Sequence, residues 1–296
     1  VAVGLLLFKN MDDDDDIEQL SPRINGHDWA LPLRVTCTFA DMPMLHNARR
    51  GKLIPVLRHA VLAHAQLYRG GVFEDWYRGA ATIKDAIAEA FKPDVVLATF
   101  GNTANWSIAQ ALARQAKCPW VGDMKDNWDV FIHSGFRRIL AKRFYDMAQM
   151  TTYSSSHSVM ANKWFSQRKT VVYSGFPDQT TGSLRHNEPL GEHILLSGSL
   201  YHDTHLQAFI DGLEACWAPG PKVKLLYAGN DTERFTRATT HIASRFDVEA
   251  LGFIEHGQYV ALAEQSICNA YIVNPASLFQ QKLLELLAAQ RPILTV

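Results

Sequence analysis

The sequence predicts an α/β protein built as two successive domains, each a mostly parallel sheet flanked by helices. Three observations predict it. Short apolar strands alternate with segments of helical period along most of the 296 residues, the pattern of right-handed βαβ units. The alternation stops once, at Asp178 to Glu192, a polar stretch with Gly, Pro, Ser and Thr and no apolar periodicity. It then restarts. These boundaries divide the chain into residues 1–178, a linker at 179–192 and a second domain at 193–296.

In chain order, Val1 to Phe8 reads as a buried strand, followed by the acidic run Asp12 to Asp16. Leu31 to Phe39 is a second strand. Met42 to Phe73 has no acidic residue but carries Arg49, Arg50, Lys52, Arg58 and Arg69. Within it Leu53, Ile54, Leu57, Val61 and Leu62 recur at helical spacing, with Pro55 limiting how far one helix runs. Such a basic amphipathic segment either lies on an anionic membrane surface or packs its apolar stripe on the first sheet. Trp76 to Phe91 has helical spacing, and Asp94 to Thr99 is a strand closed by Gly101-Asn102-Thr103. A helix at Ser107 to Gln115, a strand end at Trp120 to Asp123 and a helix at Arg137 to Gln149 come next. Met150 to Ser154 is a strand leading to a helix around His157 to Trp164. Beyond the linker come strands at Ile194 to Ser197, Val223 to Ala228, Val248 to Leu251 and Ala270 to Val273. Helices near Leu206 to Trp217 and Arg234 to Arg245 separate the first three, and Ile293 to Val296 begins a last strand.

Composition narrows the function classes. At 47% hydrophobic content the chain can bury two cores. A net charge of -1 argues against a general nucleic-acid binder, which needs clustered Lys and Arg. Cys37, Cys118, Cys216 and Cys268 are far apart and form no Cys-x-x-Cys, as expected of reduced thiols in a cytoplasmic protein. No apolar run approaches the ~20 residues of a spanning helix. Val1 to Phe8 is too short for a signal peptide and lacks its basic flank.

Candidate site residues sit at strand-to-helix turns, where open parallel sheets bind ligands. Gly198 and Ser199 follow one strand, where a glycine lets the backbone approach a pyrophosphate. Gly229 ends the next. Ser277 opens a helix in capping-box form with Gln280, a sufficient role in itself. Lys282 and Glu285 share one face of that helix. Either they form a solvated pair, or they present a point charge to a diphosphate and an acceptor to hydroxyls. In the first domain Asn102 and Asn105 are caps or ligand contacts. Asp126 is a helix-capping aspartate or a base, and Trp128 a core residue or a wall of the site. His133 follows nearby and is more often structural. Asp123, Asp126 and Asp129 have a spacing like that of metal loops, but no His or Cys completes a set.

The stretch Tyr271-Ile-Val-Asn-Pro-Ala-Ser-Leu-Phe-Gln-Gln-Lys-Leu-Leu-Glu-Leu-Leu-Ala-Ala-Gln-Arg-Pro-Ile-Leu294 resembles the donor-sugar signature of GT-B glycosyltransferases, especially the retaining, family 4-like enzymes. Pro119-Trp-Val-Gly-Asp-Met-Lys-Asp-Asn-Trp128 is similar to their Pro-Trp-Val-x-Asp-x-Arg-Asp-x-Trp segment. Val171 to Pro177, Leu195 to Leu200, Leu225 to Gly229 and Leu251 to Ile254 follow in the family's order, over about two-thirds of the chain.

The resemblance implies two Rossmann-like domains facing a cleft, with an incomplete C-terminal domain and a missing returning helix. It implies transfer of a sugar from a nucleotide-sugar to an acceptor hydroxyl, with retention, in polysaccharide or glycolipid biosynthesis. The rival activities are a nucleotide-sugar epimerase of the same fold and a non-catalytic binding protein. Gly198, Ser199, Gly229, Ser277, Lys282 and Glu285 would contact the donor, Glu285 through the ribose hydroxyls. Asn102, Asn105 and Trp128 would line the acceptor side, with Asp126 and His133 at the reacting hydroxyl. No metal and no cofactor beyond the nucleotide-sugar substrate are implied. The acceptor would be a sugar or a lipid-linked molecule, and the location cytoplasmic, peripheral to the inner membrane through residues 42–73. Two departures stand out. The Asp12 to Asp16 run occupies the place of the family's glycine-rich loop, and Tyr201-His-Asp-Thr-His205 holds no Arg or Lys where the family has one after its glycine.

Overall fold

The computed structural model describes residues 2–8, 17–173, 191–216, 220, 222–274 and 281–296. They form two compact units, Val1–Tyr173 and Ser174–Val296. Ser277, the Asp12 to Asp16 run and most of the 179–192 linker lie outside the described residues.

The first unit runs β1 (Gly4–Phe8), α1 (Ile17–Asn25), β2 (Leu33–Cys37), α2 (Pro43–Arg49), α3 (Pro55–Tyr68), α4 (Glu74–Ala90) and β3 (Val96–Thr99). It continues with α5 (Thr103–Ala116), β4 (Trp120–Met124), α6 (Trp128–Phe131), α7 (Arg137–Arg143), β5 (Gln149–Thr152), α8 (Ser155–Ala161) and β6 (Lys169–Val171). Strands β3 to β6 form a parallel sheet in chain order, and β1 and β2 form a separate parallel pair. An apolar cavity of about 370 Å³ lies between the two sheets, bordered by Leu6, Val35, Val96 and Ile108.

Helix α5 ties this unit together because it is apolar on two stripes. Trp106, Ala109 and Ala113 enter a core with Trp120, Trp128, Phe144 and Phe165. Ala104, Ile108 and Leu112 enter a second core with Leu20, Val35, Trp76 and Ile83. Helix ends follow ordinary capping chemistry. Asn102 accepts from the Ala104 amide at 2.8 Å to start α5, which stops at Lys117 in the left-handed region (φ 56). Asn127 caps α6 and Ser154 caps α8 in the same way.

Residues 42–73 are divided between two helices. Pro55 starts α3 as its first residue, where its missing N–H costs nothing, so the apolar residues Leu53 and Ile54 precede the helix instead of joining it. The helix expected over Arg137 to Gln149 ends at Arg143, because Phe144 and Met147 turn into the core.

The second unit runs β7 (His193–Ser197), α9 (Asp203–Cys216), β8 (Val223–Ala228), α10 (Thr232–Thr239), β9 (Phe246–Gly252), α11 (His256–Gln265), β10 (Cys268–Tyr271), α12 (Gln281–Ala288) and β11 (Ile293–Thr295). Its all-parallel sheet has the order β11-β10-β7-β8-β9. Counted within the unit this is 5-4-1-2-3, the Rossmann arrangement. The central strands β7 and β10 are buried at every position, as a sheet covered on both faces requires. One face carries α9 and α10 on Ile194, Leu196 and Leu225. The other carries α11 and α12, with Tyr259, Ala263 and Leu286 packed on Leu195 and Leu226.

Candidate functional site

The strand order of the second unit reverses between β7 and β10. From β7 the chain turns to α9 on one face, and α12, after β10, packs on the other. At such a reversal open parallel sheets take ligands, beyond the carboxyl ends of the strands.

The turn after β7 is held from below. Gly198 adopts φ +91, a conformation that favours glycine. Its N–H donates to Ala228 O at 3.0 Å, and its carbonyl accepts from the Tyr227 hydroxyl at 2.8 Å. The same hydroxyl accepts from the Asp231 N–H at 3.2 Å. Burial pushes the Tyr227 phenol up to about 12, so it keeps its proton and remains a donor. Asp231 in turn accepts from the Leu200 N–H at 2.9 Å, and Arg234 reaches Leu200 O and the Asp203 carboxylate. Gly229 lies against this turn so closely that a Cβ on it would stand 2.3 Å from the Tyr227 hydroxyl and 2.5 Å from Gly198 O. No side chain fits there. Ser199 is exposed next to Gly198.

Helix α12 brings Lys282 and Glu285 to the same place. The Lys282 Nζ is 2.6 Å from Glu285 Oε2 and 4.1 Å from the centroid of the Tyr259 ring. Its Cε is 3.9 Å from where a Gly198 Cβ would be. Both side chains are about a third exposed, 30% and 34%, so this pair is neither buried nor freely solvated. Gly198, Gly229, Lys282 and Glu285, expected from separate segments, therefore meet at the switch point. Sequence reasoning missed Tyr227, Arg234 and Tyr259, which build the turn and seat the lysine. The signal for the first two was the Gly229-Asn-Asp231 turn ending an apolar strand.

The first-unit candidates are placed as follows. Asn102 caps α5, and Asn105 donates to Thr99 O at 3.1 Å while its own side-chain oxygen is buried with no hydrogen-bond partner among the described residues. Asp123 joins the ends of β3, β4 and β5 by accepting from Thr99 at 3.0 Å and Thr151 at 2.8 Å. Asp126 is half-buried, and burial raises its carboxyl above the usual range. Trp128 is wholly buried, stacked on Trp106 at 5.9 Å and packed on Phe165, so its contacts are with the core. His133 is exposed, accepts from the Gly135 N–H at 3.3 Å and packs near Phe136. Asp129 is held by Trp164 at 2.8 Å and by Arg137. Among the described residues no three His, Cys, Asp or Glu converge as a metal site.

No known protein family matches the sequence, and no curated protein is similar to it. Solved structures do match. HepE (Alr3699) of Anabaena, in complex with UDP and glucose, aligns with a TM-score of 0.57 at 15% identity, over 98% of this chain and 80% of that one. The fold is GT-B. The lipopolysaccharide outer core galactosyltransferase WaaB in its apo form aligns with a TM-score of 0.52 at 14% identity, over 100% and 80%. The UDP-GlcNAc 2-epimerase of Neisseria meningitidis bound to UDP-GlcNAc aligns at 0.50 and 11% identity, over 99% and 82%. At these identities the likeness establishes the fold alone.

Proposed function

We propose that this chain is a glycosyltransferase of the family 4-like, retaining kind, moving a sugar from a nucleotide-sugar to an acceptor hydroxyl. The observation that carries it is the meeting of Gly198, Gly229, Lys282 and Glu285 at the switch point of a Rossmann sheet. On this reading a donor divides the Lys282–Glu285 pair. The ammonium turns to the diphosphate, and the carboxylate accepts the ribose hydroxyls, two at once if needed. The chemistry asks mainly for positioning and for stabilising a departing diphosphate. Lys282 and the Ser199 N–H next to Gly198 supply that stabilisation, since glycine lets the phosphates come close. The carboxyl of Asp126, raised by burial, suits a base that takes the acceptor proton, with His133 nearby in sequence. Asn102 and Asn105 stand on the acceptor side. UDP-glucose is the first donor to try, because the similarly folded HepE was solved with UDP-glucose.

Peripheral membrane contact belongs to the same proposal. Among the described residues no helix is long and apolar enough to cross a membrane. Ile54, Val56 and Leu57 are 70%, 80% and 42% exposed at the start of α3, beside exposed Arg50 and Lys52. That arrangement suits an anionic, lipid-bearing surface and a lipid-linked acceptor. Salt-sensitive sedimentation with anionic but not neutral vesicles is expected, and equal binding to both removes this part.

The activity is tested by incubating nucleotide-sugars with and without acceptors and analysing the products. Sugar appearing on an acceptor with the donor's anomeric configuration supports the proposal. An altered sugar on the nucleotide with no acceptor present favours the epimerase reading, which the epimerase of similar fold keeps in view. Binding without turnover identifies a non-catalytic protein.

A further inference from the structure

The first unit carries a second cavity, of about 520 Å³, on its helical side. Its walls come from the turn after α3, the first turns of α4, the middle of α5 and the end of α7. Four of the residues lining it are arginines: Arg69, Arg78, Arg114 and Arg143.

The floor is rigidly made. Gly70 adopts φ +96, and its carbonyl accepts from the buried Ser107 hydroxyl at 2.9 Å. A Cβ on Gly70 would touch both the Tyr77 ring and Ser107 Cβ, at 3.4 and 3.5 Å, so the turn is seated on α4 and α5. Gln110, also buried, donates to Arg143 O at 3.0 Å and to Asp146. These contacts hold the end of α7 against α5.

The charges do not balance. Arg78 pairs with buried Glu74 at 2.7 Å, Arg69 stands 3.9 Å from the same carboxylate, and Arg114 takes Asp146 at 2.6 Å. Arg143 donates to the carbonyls of Gln66 and Leu67 at the end of α3. Among the described residues no carboxylate lies within ion-pair distance of it. Four guanidiniums thus face two carboxylates, Glu74 and Asp146. Arg143 is half-buried, and burial lowers its pKa below the usual arginine range, against an opposing pull from Tyr77. The carbonyls at the end of α3 satisfy part of its fork without supplying a full counter-charge, and guanidinium groups match phosphate geometry in a bidentate way.

We propose that this cavity is an anion site for a phosphate-bearing ligand, held by Arg143 and Arg78 with Arg69 and Arg114 at the rim. The site is built wholly from residues of the first unit, and its ligand is recognised as a phosphate or diphosphate group whether free or on a lipid headgroup.

Calorimetry with inorganic pyrophosphate tests it, on the whole chain as Arg78→Gln, Arg143→Met and Lys282→Met variants beside the parent. Lys282→Met removes the cation that the switch point of the second unit would offer a diphosphate. Arg78→Gln leaves the carbonyl contacts of Arg143 intact, so it reports on the site even if Arg143→Met folds poorly. The expected result is binding that persists in Lys282→Met, falls at least about tenfold in each arginine variant and weakens with salt. Arginine variants that bind pyrophosphate like the parent, or a parent that does not bind it, overturn the proposal. Vesicles containing phosphatidic acid then separate the sources. Sedimentation lost in Arg143→Met and competed by pyrophosphate assigns a headgroup, whereas sedimentation equal in the two proteins assigns a soluble phosphate.

Discussion

Tyr227→Phe removes one oxygen from beneath the turn after β7 and nothing else. The ring remains stacked on Phe235, at 4.9 Å and 27°. Two hydrogen bonds go: the one to Gly198 O at 2.8 Å and the one from the Asp231 N–H at 3.2 Å. Each such bond contributes a net ~0.5–1.5 kcal/mol. Gly198 and Asp231 are only partly buried, so water recovers some of the loss and the total falls to about 1–2 kcal/mol. No apolar volume is deleted, so the cost stays below the ~3–5 kcal/mol of truncating a buried aromatic to Ala. For a unit of this size, 1 kcal/mol moves Tm by roughly 3–5 °C. Urea denaturation should show a lower midpoint with an unchanged slope. The freed turn should also shift less in Tm when a nucleoside diphosphate is added, because the Gly198 backbone is no longer fixed. A variant with the parent's midpoint and the parent's ligand response would refute the reasoning that Tyr227 builds this turn.

Three further outcomes follow from the same geometry. Gly229→Ala places a methyl 2.3 Å from the Tyr227 hydroxyl, so it should cost about 1–3 kcal/mol of overpacking and abolish nucleotide binding, read by urea melts and calorimetry. Asp126 has its carboxyl raised by burial, which favours the protonated form in the fold, so stability is lost as pH rises through the folded value. Asp126→Asn should therefore be more stable than the parent at neutral pH and converge with it below about pH 4, while losing turnover; a constant gap across pH contradicts this. For Asp146 burial raises the pKa, but the bonds from Gln110, Arg114 and Trp120 outweigh it and the net direction is down. Its contribution is present above the unfolded value of 3.8 and is lost as pH falls through the folded one. Asp146→Asn should flatten the acid side of the parent's stability profile, and an unchanged profile contradicts it.

Much of the fold was legible because burial writes itself into the residues. The strands β7, β8 and β10 are short apolar runs between turn residues, and α9 and α10 carry clear apolar stripes. Where the local signal was weak, the reading failed. Helix α1 contains Pro22, which hides it, and α11 was not read as a helix at all. The separation of the β1–β2 pair from the main sheet is a matter of long-range pairing that no local pattern encodes. The site was half legible. Gly198, Gly229, Lys282 and Glu285 were visible as turn glycines and a polar face. Tyr259 was not, because a buried tyrosine in α11 looks like core until α12 lays Lys282 over its ring. Trp128 is the converse case, a motif tryptophan whose ring is taken up entirely by the core. Ser277 lies outside the described residues.

The central claim is that a nucleotide-sugar is held at the switch point of the second unit by Glu285 and Lys282. Calorimetry of UDP and UDP-glucose against the parent and Glu285→Ala tests it most directly. Glu285 is a third exposed and on a helix surface, so its loss leaves the fold intact. Losing hydrogen bonds to a charged acceptor costs about 1.5–3 kcal/mol, a drop in affinity of roughly 10- to 150-fold. That drop, with an unchanged melting temperature in the absence of ligand, is the predicted result. Equal affinity in parent and variant, for a ligand the parent binds, would take Glu285 out of the site and contradict the account.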